Sequence, residues 1–164
     1  REAMLWEGQD AKRTALALER MPRLPGADVL VSALRAAGVA IALFSDGFDL
    51  QMGPLGEAIG ARFVFANTLF VEDEVLTGEI DLTFDPAQKG ALADEALAAL
   101  GATPDECIAL GCTRSDVQLF ERAAWSAAIA AYDERVVAAA TVTVPEPDLR
   151  PLLAMVQRRI DARA

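Results

Sequence analysis

Histidine is absent from this 164-residue sequence, and cysteine occurs only twice. The absence of histidine excludes Ser-His hydrolase chemistry, histidine metal sites and the usual proton shuttle at neutral pH. Two cysteines do not form a disulfide framework. Cys107 lies in an apolar run that is typical of a strand, and Cys112 follows it closely. This cysteine usage favours a reducing compartment, so we expect a cytoplasmic protein.

Long hydrophobic runs and an excess of positive charge are also missing. Hydrophobic residues make up 53% of the chain, but the longest apolar candidate, 136–144, has only the length of a strand, so we expect no membrane partner. The charged amino-terminal residues do not look like a secretory signal. The formal net charge is −10, from 25 acidic and 15 basic residues. A nucleic-acid partner requires a positive footprint, so this charge excludes one.

The chain does contain a regular alternation of short apolar runs and longer amphipathic stretches. Its length suits one domain with a sizeable core. Strands that alternate with helices of this length are typical of right-handed βαβ units, so we predict an α/β fold with a parallel sheet. The predicted helices cover 11–21, 27–37, 50–59, 86–100, 116–124 and 148–160, the strands cover 39–44, 62–66, 107–110, 127–131 and 140–144, and a hairpin covers 68–82.

Polar residues follow the first predicted strand, at the sheet edge where open parallel sheets bind ligands. Ser45, Asp46 and Gly47 offer a hydroxyl and backbone N–H groups in a tight turn. Such a turn is a suitable cradle for a phosphate or an oxyanion. The same residue types also favour ordinary turns, so the turn alone leaves both interpretations open.

Three more candidate residues lie further along the chain. Lys89 is near the start of the helix after the hairpin, where it could neutralise a phosphate, although a solvated lysine is commoner. Asp116 begins the next predicted helix, where N-capping also explains it. Cys112 has no histidine to activate its thiol, so we expect a small residue at a strand end rather than a nucleophile.

In chain order these segments resemble motifs of the haloacid dehalogenase-like (HAD) superfamily, most closely its phosphoserine phosphatase branch. Residues 44–48 are similar to the branch's second motif, a Ser-Gly-Gly-Phe turn, and 66–79 are similar to its hairpin. Lys89 matches the lysine of the third motif. Residues 111–117 match the fourth motif, which has the pattern Gly-Asp-Gly-x-Asn-Asp. The resemblance covers roughly residues 22–155.

The resemblance implies a magnesium-dependent phosphomonoester hydrolase. It implies that Ser45, Asp46, Gly47 and Lys89 bind the phosphoryl group of a phosphate or small phosphorylated ligand. It also places Ser45, Lys89 and Asp116 at catalytic motif positions. The implied architecture is an HAD-like (Rossmann-like) parallel sheet flanked by helices, with a small hairpin and a helical cap.

Several residues depart from the family pattern. The family's nucleophile lies in an Asp-x-Asp sequence on its first, central strand, and this sequence contains no Asp-x-Asp. Cys112 stands where the fourth motif has a magnesium ligand, and a thiol is a poor ligand for a hard cation. Thr113 and Ser115 replace the motif's glycine and asparagine. Asp116 could at most hold an ion through water, and Arg20 is no secure counterpart of the cap arginine.

These departures lead to our hypothesis of a phosphatase-like pseudoenzyme, with no secure magnesium site. The alternatives are a magnesium-dependent phosphoserine-type hydrolase whose first motif lies outside this chain, and a phosphate-binding or interaction module. The predicted domains are a cap-like helical remnant, 1–21, and an HAD-like core, 22–164. Because the family's first central strand is missing, we expect another part of the chain, a second copy or a partner to complete the sheet.

Overall fold

The structure is a computed structural model, and it describes residues 3–82 and 85–162. The chain divides into two compact units, one formed by Arg1–Pro22 with Ala40–Asp85 and the other by Arg23–Val39 with Pro86–Ala164. Each unit contains one three-stranded sheet. The division into a cap-like segment and a core, which follows from the family resemblance, stays a prediction.

The helices and strands alternate along the chain as the α/β prediction requires. No helix in the described ranges combines the length and hydropathy needed to cross a membrane. The helices are α1 (Ala11–Glu19), α2 (Ala27–Ala36), α3 (Asp49–Ile59), α4 (Lys89–Leu100), α5 (Val117–Phe120), α6 (Glu134–Ala139) and α7 (Arg150–Asp161), and the strands are β1 (Ala42–Phe48), β2 (Phe63–Glu72), β3 (Val75–Asp81), β4 (Ile108–Gly111), β5 (Trp125–Ile129) and β6 (Val142–Val144).

In the first unit, β2 is the central strand. Its first half pairs in parallel with β1, and its second half pairs antiparallel with β3. The predicted hairpin is confirmed, but the predicted break between a strand and the hairpin is wrong, because β2 runs through both without interruption. Asp73 and Glu74 form the tip with φ values of 48° and 66°. Positive φ at both residues is typical of a tight hairpin turn.

The amino-terminal residues pack on this hairpin. Asp10 caps α1 by accepting a hydrogen bond from the Arg13 N–H at 2.6 Å, as its type and position predict. Asp10 also forms an isolated bridge with Val75. A buried cluster joins α1 and the preceding 3₁₀ turn to the hairpin through Ala3, Ala11, Leu69 and Leu76.

In the second unit, β4, β5 and β6 are all parallel, with β5 in the centre. Every residue of β5 is buried, as expected for a strand covered on both faces. Leu30 of α2 and Leu152 and Val156 of α7 belong to the same core as Trp125 and Ile129. Helices α2 and α7 therefore pack on this sheet.

Some predicted boundaries are wrong. Strand β1 begins at Ala42 rather than at residue 39, because the chain is still completing the end of α2: the Val39 N–H donates to the Leu34 carbonyl. The apolar run 136–144 is partly helical, since Asp133 caps α6 by accepting a hydrogen bond from the Arg135 N–H. The helix predicted over 116–124 shortens to the four residues of α5.

Candidate functional site

The predicted phosphate-binding turn lies inside β1, not after it. The pairing of β1 with β2 is irregular between Phe44 and Phe48. In this irregular segment, the Gly47 N–H donates to the Ser45 Oγ at 3.1 Å. The Gly47 amide is thus already engaged within the turn, and a phosphate would have to replace the Ser45 hydroxyl as its acceptor. The Asp46 side chain is exposed, so it places a carboxylate beside this candidate cradle.

Asn67 on β2 holds the turn from the neighbouring strand. Its Nδ2 donates to the Asp46 carbonyl at 3.2 Å, and its side chain is buried. Asp49, at the start of α3, accepts a hydrogen bond from the Leu69 N–H at 3.3 Å. These two contacts tie the turn and the following helix to β2. The Asn67 contact could not be predicted from the sequence, because it depends on the register between β1 and β2.

A cavity of about 390 Å³ lies beside the turn in the first unit. The described side chains that line it are uncharged, and the polar groups among them are the Gln51 amide and the Trp6 indole N–H. Arg20, the nearest sequence candidate for a carboxylate-binding residue, is exposed at the end of α1 and does not line the cavity. The cavity is lined by Leu5, Trp6, Leu18, Gly47, Phe48 and Gln51.

In the second unit, Lys89 and Asp116 form a buried ion pair. Lys89 is the first residue of α4, and its Nζ lies 2.7 Å from the Asp116 Oδ1. The alternative of a solvated surface lysine is therefore wrong: Lys89 is only 3% exposed. The Asp116 Oδ2 accepts hydrogen bonds from the Cys112 and Thr113 N–H groups at 2.9 Å each and from the Thr113 Oγ1 at 2.8 Å. Asp116 thus closes the loop that follows β4.

The surroundings of Asp116 have opposing effects on its pKa. Burial raises the pKa, but the hydrogen bonds from Lys89, Thr113 and Cys112, together with the Lys89 charge, outweigh burial. The net result is a pKa below the ordinary aspartate value, so Asp116 is ionised at neutral pH. A carboxylate held this way orders the loop.

Gly111 makes the close approach of Asp116 possible. A Cβ added at Gly111 would lie 2.5 Å from the Asp116 Cβ, which is closer than side-chain carbons approach one another. Gln118 of α5 also fastens α4 to this region, since its Oε1 accepts from the Gly90 N–H at 3.2 Å and its Nε2 donates to the Pro86 carbonyl at 3.0 Å. Neither the close approach of Gly111 to Asp116 nor the two Gln118 hydrogen bonds was predicted from the sequence.

Cys112 lies directly after β4 and is exposed. The Cys112 N–H donates to the Asp116 Oδ2 at 2.9 Å. Thr113 and Ser115 are joined by a 3.0 Å hydroxyl contact, and Arg114 pairs with Asp133 at 2.7 Å. The loop is thus held by a contact between two of its own side chains and by the ion pair of Arg114 with Asp133.

These residues do not fit a magnesium ion. Mg²⁺ requires near-octahedral oxygen coordination, with at least one or two carboxylates. Asp116 is engaged by Lys89 and the loop N–H groups, and Cys112 offers a soft sulfur. Within residues 3–82 and 85–162, no three His, Cys, Asp or Glu side chains lie close enough to hold a metal ion.

The structure therefore brings the predicted site residues together in two groups. One group is in the turn of β1, in the first unit, and the other is around the loop after β4, in the second unit. The first group is Ser45, Asp46 and Gly47, and the second is Lys89, Cys112 and Asp116.

Parallel strands flanked by helices, a hairpin, and a buried lysine beside the loop after β4 are the features that the family resemblance implies. The family model of haloacid dehalogenase-like hydrolases matches residues 2–121. The chain belongs to this family. The predicted resemblance to its phosphoserine phosphatase branch is confirmed by the relatives below.

Two curated relatives are phosphoserine phosphatases. The one from Methanocaldococcus jannaschii is 27% identical over 138 residues, which are 84% of this chain and 65% of that protein. The one from Albidiferax ferrireducens is 32% identical over 133 residues, 78% of this chain and 56% of that protein. The chain thus spans less than two thirds of the length of either relative.

Solved structures agree with this assignment. A phospho-aspartyl intermediate analogue of phosphoserine phosphatase superposes with a TM-score of 0.83 at 25% identity, covering 93% of this chain and 73% of that chain. A probable phosphoserine phosphatase from Vibrio cholerae has a TM-score of 0.85 at 20% identity, covering 98% and 50%. At 20% identity, the Vibrio cholerae structure shows similarity of the fold alone. The predicted HAD-like α/β fold is confirmed.

Proposed function

We propose that this chain is a phosphoserine phosphatase-like HAD domain with little or no phosphatase activity of its own. The observation that carries the proposal is Cys112, an exposed thiol at the position where the fourth motif has a metal-binding aspartate. The adjacent carboxylate, Asp116, is already neutralised by Lys89. The loop therefore offers sulfur and hydroxyl groups where phosphoryl transfer needs a magnesium ion.

The missing groups are those on which the reaction depends most. Phosphoryl transfer is accelerated mainly by positioning and by neutralising the charge on the transferring group, and the metal ion contributes much of both. A covalent nucleophile supplies the rest in this branch, and the sequence contains no Asp-x-Asp. With neither group, the turn that contains Ser45 and Gly47 could hold a phosphate but could not cleave its ester.

The test is an assay of the 164-residue chain with O-phosphoserine and with p-nitrophenyl phosphate, each with and without Mg²⁺. We expect no turnover above the blank. Circular dichroism should show that the protein is folded in the same buffer. Robust, metal-dependent turnover would sink the proposal and would favour the alternative of a magnesium-dependent phosphomonoester hydrolase.

A matched variant sharpens this assay. Cys112→Asp restores the aspartate of the fourth motif without touching the Lys89–Asp116 pair. We expect this variant to stay inactive, because a metal ligand alone does not supply the nucleophile. If Cys112→Asp gains magnesium-dependent turnover, the chain already contains a nucleophile, and the pseudoenzyme proposal fails.

A second candidate function is the binding of phosphate or a small phosphorylated ligand without hydrolysis. The observation in its favour is the turn in β1, where Ser45 and Gly47 keep the hydroxyl and amide that the second motif uses. Millimolar phosphate or phosphoserine should raise the melting temperature, and Ser45→Ala should reduce that shift while folding normally. If neither ligand changes the melting temperature, the binding function is wrong.

Completion of the sheets by another strand also stays a prediction. In the described residues, β1 pairs only with β2, and β4 pairs only with β5, so each is the end strand of its sheet. End strands leave backbone groups available for pairing. Light scattering after size exclusion should reveal a dimer or a complex with a partner. A monomer in which the amides of β1 and β4 exchange rapidly with solvent would contradict the prediction.

A further inference from the structure

A second cavity, of about 460 Å³, lies in the second unit. Its volume is within the range of small-molecule sites, which is roughly 300–1,000 Å³. Trp125 and Val142, which are the first residues of β5 and β6, form part of its wall. The described residues that line it are Trp125, Val142, Met155, Arg158, Arg159 and Ala162.

This cavity is separate from the loop that contains Cys112 and Asp116. All three strands of this sheet are parallel, and that loop follows the carboxyl end of β4. The cavity lies at the amino ends of the neighbouring strands, which is the opposite edge of the same sheet. A ligand in the cavity would therefore not compete for the residues that match the family motifs.

Arginine and tryptophan are combined in one wall of the cavity. The guanidinium carbon of Arg159 lies 5.0 Å from the centre of the Trp125 ring. A guanidinium over an aromatic face is attracted to the ring, and its N–H groups can still donate hydrogen bonds. Trp125 is only 2% exposed, so its ring is a rigid part of the unit's core. Arg159 is thus held at the cavity by packing.

Among the described residues, neither cavity arginine is paired with an acid, although acids outnumber bases in the chain. No carboxylate in residues 3–82 and 85–162 lies within ion-pair distance of Arg158 or Arg159. The nearest acid along α7, Asp161, accepts a hydrogen bond from the Gln157 Nε2 at 2.8 Å instead. Other arginines of the same unit do have acidic partners, namely Arg23, Arg114, Arg122 and Arg150.

We propose that this cavity binds a small organic anion that also carries an apolar group. Arg158 and Arg159 hold its carboxylate or phosphate-like group, because guanidinium groups match the geometry of both. The side chains of Val142 and Met155 provide the apolar surface for the rest of the molecule. The field at the carboxyl end of α7 opposes an anion, so the two guanidinium groups supply the attraction.

The test uses tryptophan fluorescence of a Trp6→Phe variant, in which Trp125 is the only tryptophan. Benzoate and phenylphosphonate are titrated as probes, and benzamide is the uncharged control of the same shape. We expect saturable changes in Trp125 emission with at least one anion, and binding of benzamide at least about tenfold weaker. The order of benzoate and phenylphosphonate then identifies the preferred acid group.

The arginines are tested by Arg158→Gln with Arg159→Gln, in the same background. We expect at least about a tenfold loss of anion affinity. Arg135→Gln, an exposed arginine of α6 that does not line the cavity, should leave the affinity unchanged. Arg158 and Arg159 also stabilise the end of α7 by their charge, so the double variant is expected to be less stable whether or not the cavity binds an anion. The affinity for the anion is therefore the quantity that tests the proposal.

Three results would overturn the proposal. One is the absence of saturable binding by either anion, and another is equal binding of benzamide. The third is unchanged anion affinity in the double glutamine variant, provided that circular dichroism shows it to be folded. None of these results depends on phosphatase activity or on the turn at Ser45.

Discussion

Lys89 Nζ lies 2.7 Å from Asp116 Oδ1, with only 3% and 9% of the two side chains exposed. The pair links the start of α4 to the loop after β4. Since four groups donate hydrogen bonds to Asp116, removal of either partner affects more than one contact. A buried charge without its partner is strongly unfavourable.

We expect Lys89→Met to lower the free energy of unfolding by about 3–5 kcal/mol, because it leaves the Asp116 carboxylate buried without its cation. Urea unfolding followed by circular dichroism measures this loss. Arg23→Met is the matched control: it breaks the exposed pair with Asp28, and we expect a loss of less than about 1 kcal/mol. Equal losses in the two variants would contradict a special role for burial.

The pKa of Asp116 is below its ordinary value in the folded protein, so its ionised form favours folding. This contribution is fully present above the unfolded pKa of about 3.9 and disappears as the pH falls through the lower, folded pKa. Asp116→Asn should therefore be less stable at pH 7, and its deficit should shrink toward pH 3. Unfolding curves between these pH values measure the difference. If the stability deficit of Asp116→Asn grows as the pH falls, the prediction is wrong.

The two cysteines should differ in reactivity toward the thiol reagent DTNB. Cys112 is exposed, whereas Cys107 is half-buried and burial raises the pKa of its thiol. Because the thiolate is the reactive form, we expect one fast and one slow phase at pH 8. Cys112→Ser should remove the fast phase, and Cys107→Ser the slow one. The reverse assignment would show that the loop is not held as described.

Gly111→Ala should destabilise the protein by about 1–3 kcal/mol, because the new methyl group would press against Asp116. It should also change the DTNB rate of Cys112 by moving the loop. Gly101→Ala is a control that should cause a similar loss of stability for a different reason. The φ of +64° at residue 101 strains an alanine by about 1–2 kcal/mol, but the space around its Cβ is open. That control should leave the Cys112 rate unchanged. Equal changes in rate would point to global destabilisation.

The sequence predicted the order of the elements because helix ends and strands are marked locally. Gly38, for example, has the positive φ of a helix stop, and Asp10 caps α1 as its type suggests. The continuity of β2 was not predictable in this way. The residues that join the strand to the hairpin form one strand only because β1 and β3 pair with its two halves.

Only part of the candidate site could be predicted. Lys89 and Asp116 were identified by motif order, but their contact depends on packing between segments 27 residues apart. The Asn67 contact to the turn and the need for glycine at 111 arise in the same way, from register and close approach. Such contacts are properties of the folded chain, with no local signal in the sequence.

The packing of α2 and α7 in one core has a consequence for synthesis. Leu30 leaves the ribosome long before Leu152 and Val156, which belong to the same buried cluster but lie much later in the sequence. Folding is slow when the entropy cost of closing so long a loop comes before the stabilising contacts can form. Until α7 is synthesised, the apolar face of α2 lacks this partner, and uncovered apolar surface exposes a nascent chain to aggregation and to chaperones.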